Sequence, residues 1–195
     1  GELGFEIYLK DATKNAEVLW EHMLEKGKAH NMKVIAPGHA RRIEGGFMSY
    51  HQDLDWEVNP YECGLGWQVG LKREDDFVGK EALKKINADG VTHKLAGLLM
   101  GGKPIEWYNA DFYHVFNEKE ELVGYVTSAW YSVTQGQNVA MAMLPVGYTD
   151  VGTKLRVALP HRYSTGDTDD AVVEKTPFKK PANPGTGLLT TGAKL

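Results

Sequence analysis

Glu6 stands in the run Gly1-Glu2-Leu3-Gly4-Phe5-Glu6-Ile7-Tyr8-Leu9, an alternating stretch of strand formers where a charge costs free energy unless something binds it. A carboxylate has two acceptor oxygens and can take paired N–H bonds from a flat heterocycle with an amino-substituted amidine edge. Alternation puts Tyr8 on the same side of the strand, a phenol beside that carboxylate. The competing reading turns Phe5, Ile7 and Leu9 toward a core and Glu6 and Tyr8 toward water, and alternation alone favours it. Arg41, Arg42 and Glu44 beside Gly45-Gly46 form a second cluster, either an anchor for an anionic group or a solvated helix face. Surface charge runs are common, which favours the solvated face. Trp107-Tyr108 and Trp130-Tyr131 could stack on an aromatic ligand or simply pack. The histidines lack the spacing of a triad or a metal site. Cys63 is the sole cysteine, with no histidine beside it, so neither a disulfide framework nor a thiol nucleophile is indicated.

The elements that position these residues follow from periodicity. Residues 5–9 read as a strand, residues 15–24 as an amphipathic helix (Ala16, Leu19, Trp20, Met23 and Leu24 on one face) and residues 32–35 as a returning strand, a β-α-β unit. Residues 40–44 start helical and must stop at the paired glycines, residues 65–71 alternate as a strand, and residues 79–86 form a short helix. From Lys94 the pattern changes to short strands at 95–100, 113–116, 122–127, 139–143, 154–159 and 171–174, separated by Gly, Pro, Asn and Asp turns, the spacing of a closed barrel. This gives a first domain over 1–89, a barrel over 90–180 and a tail at 181–195 that is expected on the surface or disordered.

With 195 residues, 42% of them hydrophobic, the chain can bury one good core or two small ones. Its net charge of -4 is mixed along the sequence, unlike a nucleic-acid surface, and no apolar run approaches the length of a membrane span. Small-molecule or protein partners and a reducing cytoplasm are the expectation. An opening strand without an initiator Met reads as the carboxy-terminal part of a larger binding protein.

Five motifs, individually weak, recur here in a specific order: Gly1-Glu2-Leu3-Gly4-Phe5-Glu6-Ile7, Arg42-Ile43-Glu44-Gly45-Gly46, Asn59-Pro60-Tyr61-Glu62-Cys63-Gly64-Leu65-Gly66-Trp67, Phe77-Val78-Gly79-Lys80-Glu81-Ala82-Leu83 and Gly124-Tyr125-Val126-Thr127-Ser128. From Gly1 to about Phe178 the chain resembles the carboxy-terminal half of the tetrahydrofolate-dependent aminomethyltransferase family, best known from the glycine cleavage T-protein. The resemblance implies an α+β fold, a partial folate-binding α/β domain followed by a small Greek-key β-barrel. It implies tetrahydrofolate as cofactor and transfer of a one-carbon unit from a small amine or sulfonium donor to N5. In the family the Glu of the Gly-Phe-Glu-Ile strand contacts the pterin, which reverses the balance for Glu6; Tyr8 shares its face, and Phe47 falls where some members place an aromatic beside the folate. The family's catalytic Asp lies in the amino-terminal half, so that half is the implied partner.

Gly38 stands where T-proteins carry a folate-contacting Arg, a departure that puts glycine cleavage in doubt. The Arg42-Ile43-Glu44-Gly45-Gly46 and Asn59-Pro60-Tyr61-Glu62-Cys63-Gly64-Leu65 pairing resembles the dimethylsulfoniopropionate demethylase branch. The alternatives are a non-catalytic folate-binding module and the folate domain of a dimethylglycine- or sarcosine-oxidising enzyme.

Overall fold

Six stretches rich in β-branched and long apolar residues form the strands β1 (His93–Met100), β2 (Tyr113–Phe116), β3 (Leu122–Ser132), β4 (Gln137–Pro145), β5 (Lys154–Val157) and β6 (Asp169–Glu174). In the computed structural model, which describes residues 4–178, they close into an antiparallel barrel in the order β1-β4-β3-β2-β5-β6, with β6 pairing back onto β1. Closure removes the unpaired sheet edges that would otherwise invite other chains. The barrel expected from the strand spacing is present, with β3 and β4 longer than expected and β5 stopping at Val157.

Side chains fill the lumen. Leu98, Met100, Val126, Ala140, Leu144 and Val173 are packed from the strands, and Ile105 and Tyr163 enter the same cluster from connecting loops. Asn138, at the start of β4, is almost fully buried and holds one of those loops: its Oδ1 accepts the Ile105 N–H at 2.9 Å, and its Nδ2 donates to the carbonyls of Gly101 and Lys103. Strand β4 buries both faces. Its outward Val139 and Met141 pack against Ile43 of helix α2 (His39–Glu44), which is why this strand reads as an apolar run and not an alternation. Burying Ile43 completely is worth about 1.5–3 kcal/mol.

The chain divides into two units, one ending at Gly38 and the other, containing the barrel, beginning at His39. The first contains α1 (Ala12–Gly27), longer than the expected 15–24, followed by a single 3-10 turn at Lys28–His30. Residues 5–9 and 32–35 are not strands. Both have strand composition, but among the described residues neither has a ladder partner, and a lone strand is not stable; Phe5, Val34 and Ile35 are accordingly exposed. Among the described residues the expected β-α-β unit is therefore absent. Residues 65–71 also fail as a strand: the backbone bonds locally, Gln68 N–H to the Leu65 carbonyl and Val69 N–H to the Gly66 carbonyl, in a 3-10 turn that leaves Trp67 82% exposed. The short helix is found as α3 (Lys80–Asp89). The expectation for residues 181–195 lies outside the described residues.

Gly124 of β3 lies so close to β4 that a Cβ would run into the Met143 carbonyl oxygen, and backbone cannot step aside as a side chain can. Gly124→Ala should cost about 1–3 kcal/mol, read as a lowered urea midpoint with an unchanged slope.

Candidate functional site

Helix α2 ends where Gly45-Gly46 reverses the chain. Gly46 has φ of 71°, in the left-handed region that suits glycine, and the Phe47 N–H then bonds the Arg42 carbonyl at 2.7 Å. This reversal aims Arg42 inward rather than at solvent. Its Nε donates to His39 Nδ1 at 2.8 Å, Nη1 to Asp53 Oδ2 at 2.7 Å and the Phe47 carbonyl at 3.1 Å, and Nη2 to Gln52 Oε1 at 3.0 Å and Ser128 Oγ at 2.7 Å. Asp53, whose side chain has no exposed surface, also accepts the Ser49 N–H and the hydroxyls of Thr127 (2.6 Å) and Ser128 (2.5 Å). Both hydroxyls reach it because β3 carries a bulge between Val126 and Ser128, which presents two consecutive side chains to the same carboxylate. Glu44 is also buried, taking the Ser132 hydroxyl at 2.5 Å at the β3–β4 hairpin. The solvated-face expectation is therefore wrong for Arg42 and Glu44, because a hairpin and a loop far along the sequence supply their partners; Arg41 is exposed.

His39 is the residue at this cluster that sequence reasoning passed over. Its Nδ1 accepts from Arg42, so the proton sits on Nε2, which is buried with no hydrogen-bond partner among the described residues. The Tyr108 ring lies 3.5 Å away centroid to centroid, and that of Trp130 5.3 Å away. Burial first, and the Arg42 charge second, lower its pKa to about 4, with Asp53 pulling the other way. The aromatic pairs flagged from sequence thus pack, at least through Tyr108 and Trp130, against an imidazole.

The three expected ligand contacts are distributed over both units. Tyr8 OH donates to Glu6 Oε2 at 2.5 Å, both side chains being exposed, and because that bond needs the phenol proton the Tyr8 pKa is raised. Glu6 and Tyr8 do lie side by side, though on a segment without regular secondary structure instead of a sheet. Phe47 belongs to the barrel unit, where the residue is 55% exposed. Cys63 is half-buried, its thiol pKa pushed up by that burial, with Sγ 3.6 Å from the Pro60 carbonyl oxygen. Among the described residues no group of three or more His, Cys, Asp or Glu could hold a metal ion, and no helix is long and apolar enough to cross a membrane.

The barrel with its outer helical clamp defines a class of protein before any function is considered. It resembles the crystal structure of glycine cleavage system aminomethyltransferase T from Bartonella henselae, with a TM-score of 0.63 at 23% identity over 72% of this chain and 37% of that one. Sequence adds the rest. Residues 1–73 match the GCVT N-terminal domain and residues 93–180 the glycine cleavage T-protein C-terminal barrel domain. An aminomethyltransferase of Oceanobacillus iheyensis is 37% identical over 183 residues, 92% of this chain and 46% of the relative. One from Halalkalibacterium halodurans is 37% identical over 186 residues, 94% of this chain and 47% of the relative. The chain belongs to the glycine cleavage T-protein family. It spans about half the length of these relatives.

Removing the Asp53 carboxylate strands the Arg42 charge and the Thr127 and Ser128 hydroxyls. Asp53→Ala should cost about 3–5 kcal/mol in urea denaturation, with Asp53→Asn intermediate. Between the ordinary His value of 6.5 and about 4 the unfolded chain takes up a proton at His39 that the native chain refuses, so stability is lost as pH falls through that window. His39→Gln has no such proton to take up, so the stability gap between wild type and this variant should narrow on acidification, followed as Tm at stepped pH.

Proposed function

We propose that the chain is the folate-side part of a tetrahydrofolate-dependent one-carbon transferase, with Glu6 and Tyr8 receiving the pterin. The carrying observation is the exposed Glu6 carboxylate held by the Tyr8 hydroxyl at 2.5 Å. That bond orients one oxygen and restricts the rotation of a side chain that would otherwise have to be ordered on binding. A carboxylate so fixed fits the amino-substituted amidine edge of a pterin, which presents two N–H donors side by side.

Bound tetrahydrofolate would supply N5 as the acceptor of the one-carbon unit. The contribution of this chain is to hold the acceptor in place, so that the encounter with the donor becomes effectively unimolecular. The donor, a small amine or sulfonium, and the residue that activates it belong on this reading to the amino-terminal half of the fold. The demethylase-like branch is supported by the Arg42-Ile43-Glu44-Gly45-Gly46 and Asn59-Pro60-Tyr61-Glu62-Cys63-Gly64-Leu65 pairing and by Gly38 in place of an Arg. A Greek-key connection is supported by the placement of β1 beside β4 while β2, β3 and β4 run on as neighbours.

In the protein carrying both halves of the fold, Glu6→Gln should weaken tetrahydrofolate binding by about tenfold or more by isothermal titration. Tyr8→Phe, which leaves the carboxylate but not its restraint, should lose about two- to tenfold. Unchanged affinity in Glu6→Gln removes the proposal.

A further inference from the structure

On the outside of the barrel, β2 and β3 carry a groove of about 520 Å3 to which no role is assigned above. Its floor runs from Leu122 to Tyr125, flat at Gly124 because the close approach of β4 excludes any side chain there. Phe112 stacks on Tyr125 at 4.9 Å with the rings 17° from parallel, and the two are 48% and 36% exposed. His93 and His114 complete the sides. A stacked aromatic pair this open to water is unusual for a surface that meets nothing.

Carboxylates gather at both margins. Asp55, Glu57 and Glu62 act on the Tyr125 hydroxyl, whose pKa is raised by burial first and by these three charges after it. Glu62 is held in place there, its own carbonyl accepting the Leu95 N–H at 2.8 Å two residues beyond His93. At the other margin the turn leading into Leu122 carries Glu118, Glu120 and Glu121, all exposed. The neighbouring cations are Lys94 and Lys119 in sequence and Arg156 of β5, the cross-strand partner of Phe116, so the six carboxylates leave the balance acidic. Since the barrel is closed, no strand edge is open for a peptide to extend. Recognition here must run through side chains.

We propose that this groove is a docking surface for a basic polypeptide segment, whose Arg or Lys stems lie across Phe112 and Tyr125 while their charged heads meet the carboxylates at the two margins. Flat aromatic faces favour guanidinium stacking, and charges spaced along both rims suit an extended chain better than a single small cation. The assignment is independent of the folate reading, since none of these residues takes part in it.

The test uses the full chain and a fluorescein-labelled peptide of sequence Arg-Leu-Arg-Leu-Arg, followed by anisotropy, with Glu-Leu-Glu-Leu-Glu as its acidic counterpart. The basic peptide should bind about tenfold or more tighter than the acidic one and weaken as salt rises. Phe112→Ala and the double variant Asp55→Asn, Glu57→Gln should each weaken it about fivefold or more with unchanged thermal melting. The paired charge variant alters only exposed positions, so it remains informative if Phe112→Ala folds poorly. Equal binding of the two peptides, or no response to the charge variant, overturns the proposal. So does full displacement of the peptide by millimolar tetramethylammonium, which would make the groove a small-cation site.

Discussion

A carboxyl group shut away from water, as that of Asp53 is, persists only if its oxygens are met by donors, and here they come from three separate parts of the chain: Arg42 of α2, the Ser49 N–H of the following turn, and the Thr127 and Ser128 hydroxyls of β3. A charge desolvated to this degree would cost several kcal/mol if any one of these were displaced. The carboxylate therefore sets the distance between helix and barrel wall more narrowly than apolar contact alone could. Ile43, Val139 and Met141 supply the burial, and Asp53 supplies the register. His39 is a dependent of the same arrangement: with Arg42 donating to one ring nitrogen, it is kept neutral and packed under Tyr108.

Much of this was legible in the sequence, but the motifs meant something different from what they suggested. The barrel followed from turn-separated short strands, because its pattern is local. The clamp did not, because the partners of Arg42 lie 11 and 86 residues away and no local rule separates a charged helix face that meets water from one that meets a bulge. The motif ending in Thr127-Ser128 held the missing signal, two adjacent small hydroxyls in the middle of a mostly apolar strand. Asn59-Pro60-Tyr61-Glu62 is likewise a turn, the Asn59 side chain accepting the Tyr61 and Glu62 N–H groups while Glu62 accepts that of Asn59. Lys80 of another motif ties down a loop by donating to the Arg73 and Asp75 carbonyls. The shared motifs of the barrel unit thus mark how it is built more than what it binds.

The amino-terminal unit failed the sequence reading for a different reason. Strand propensity in residues 5–9 and 32–35 reports the wish of a pleated, half-buried surface, and a ladder partner elsewhere is needed to fulfil it. Without one, the residues form no sheet. The pairing of Glu6 with Tyr8 survives because it requires only a relation between residues two apart in the chain. A local feature was recovered where the long-range one around it was not.

Asn138 has a consequence for how such a barrel can change over time. One amide side chain fastens the loop across the end of the lumen, and the interior behind it is packed with Met100, Leu144 and Val173. The barrel is thus a pillar and not a vessel. New specificities in this architecture must be acquired on its outside and in its connecting loops, where substitutions leave the load on the column unchanged.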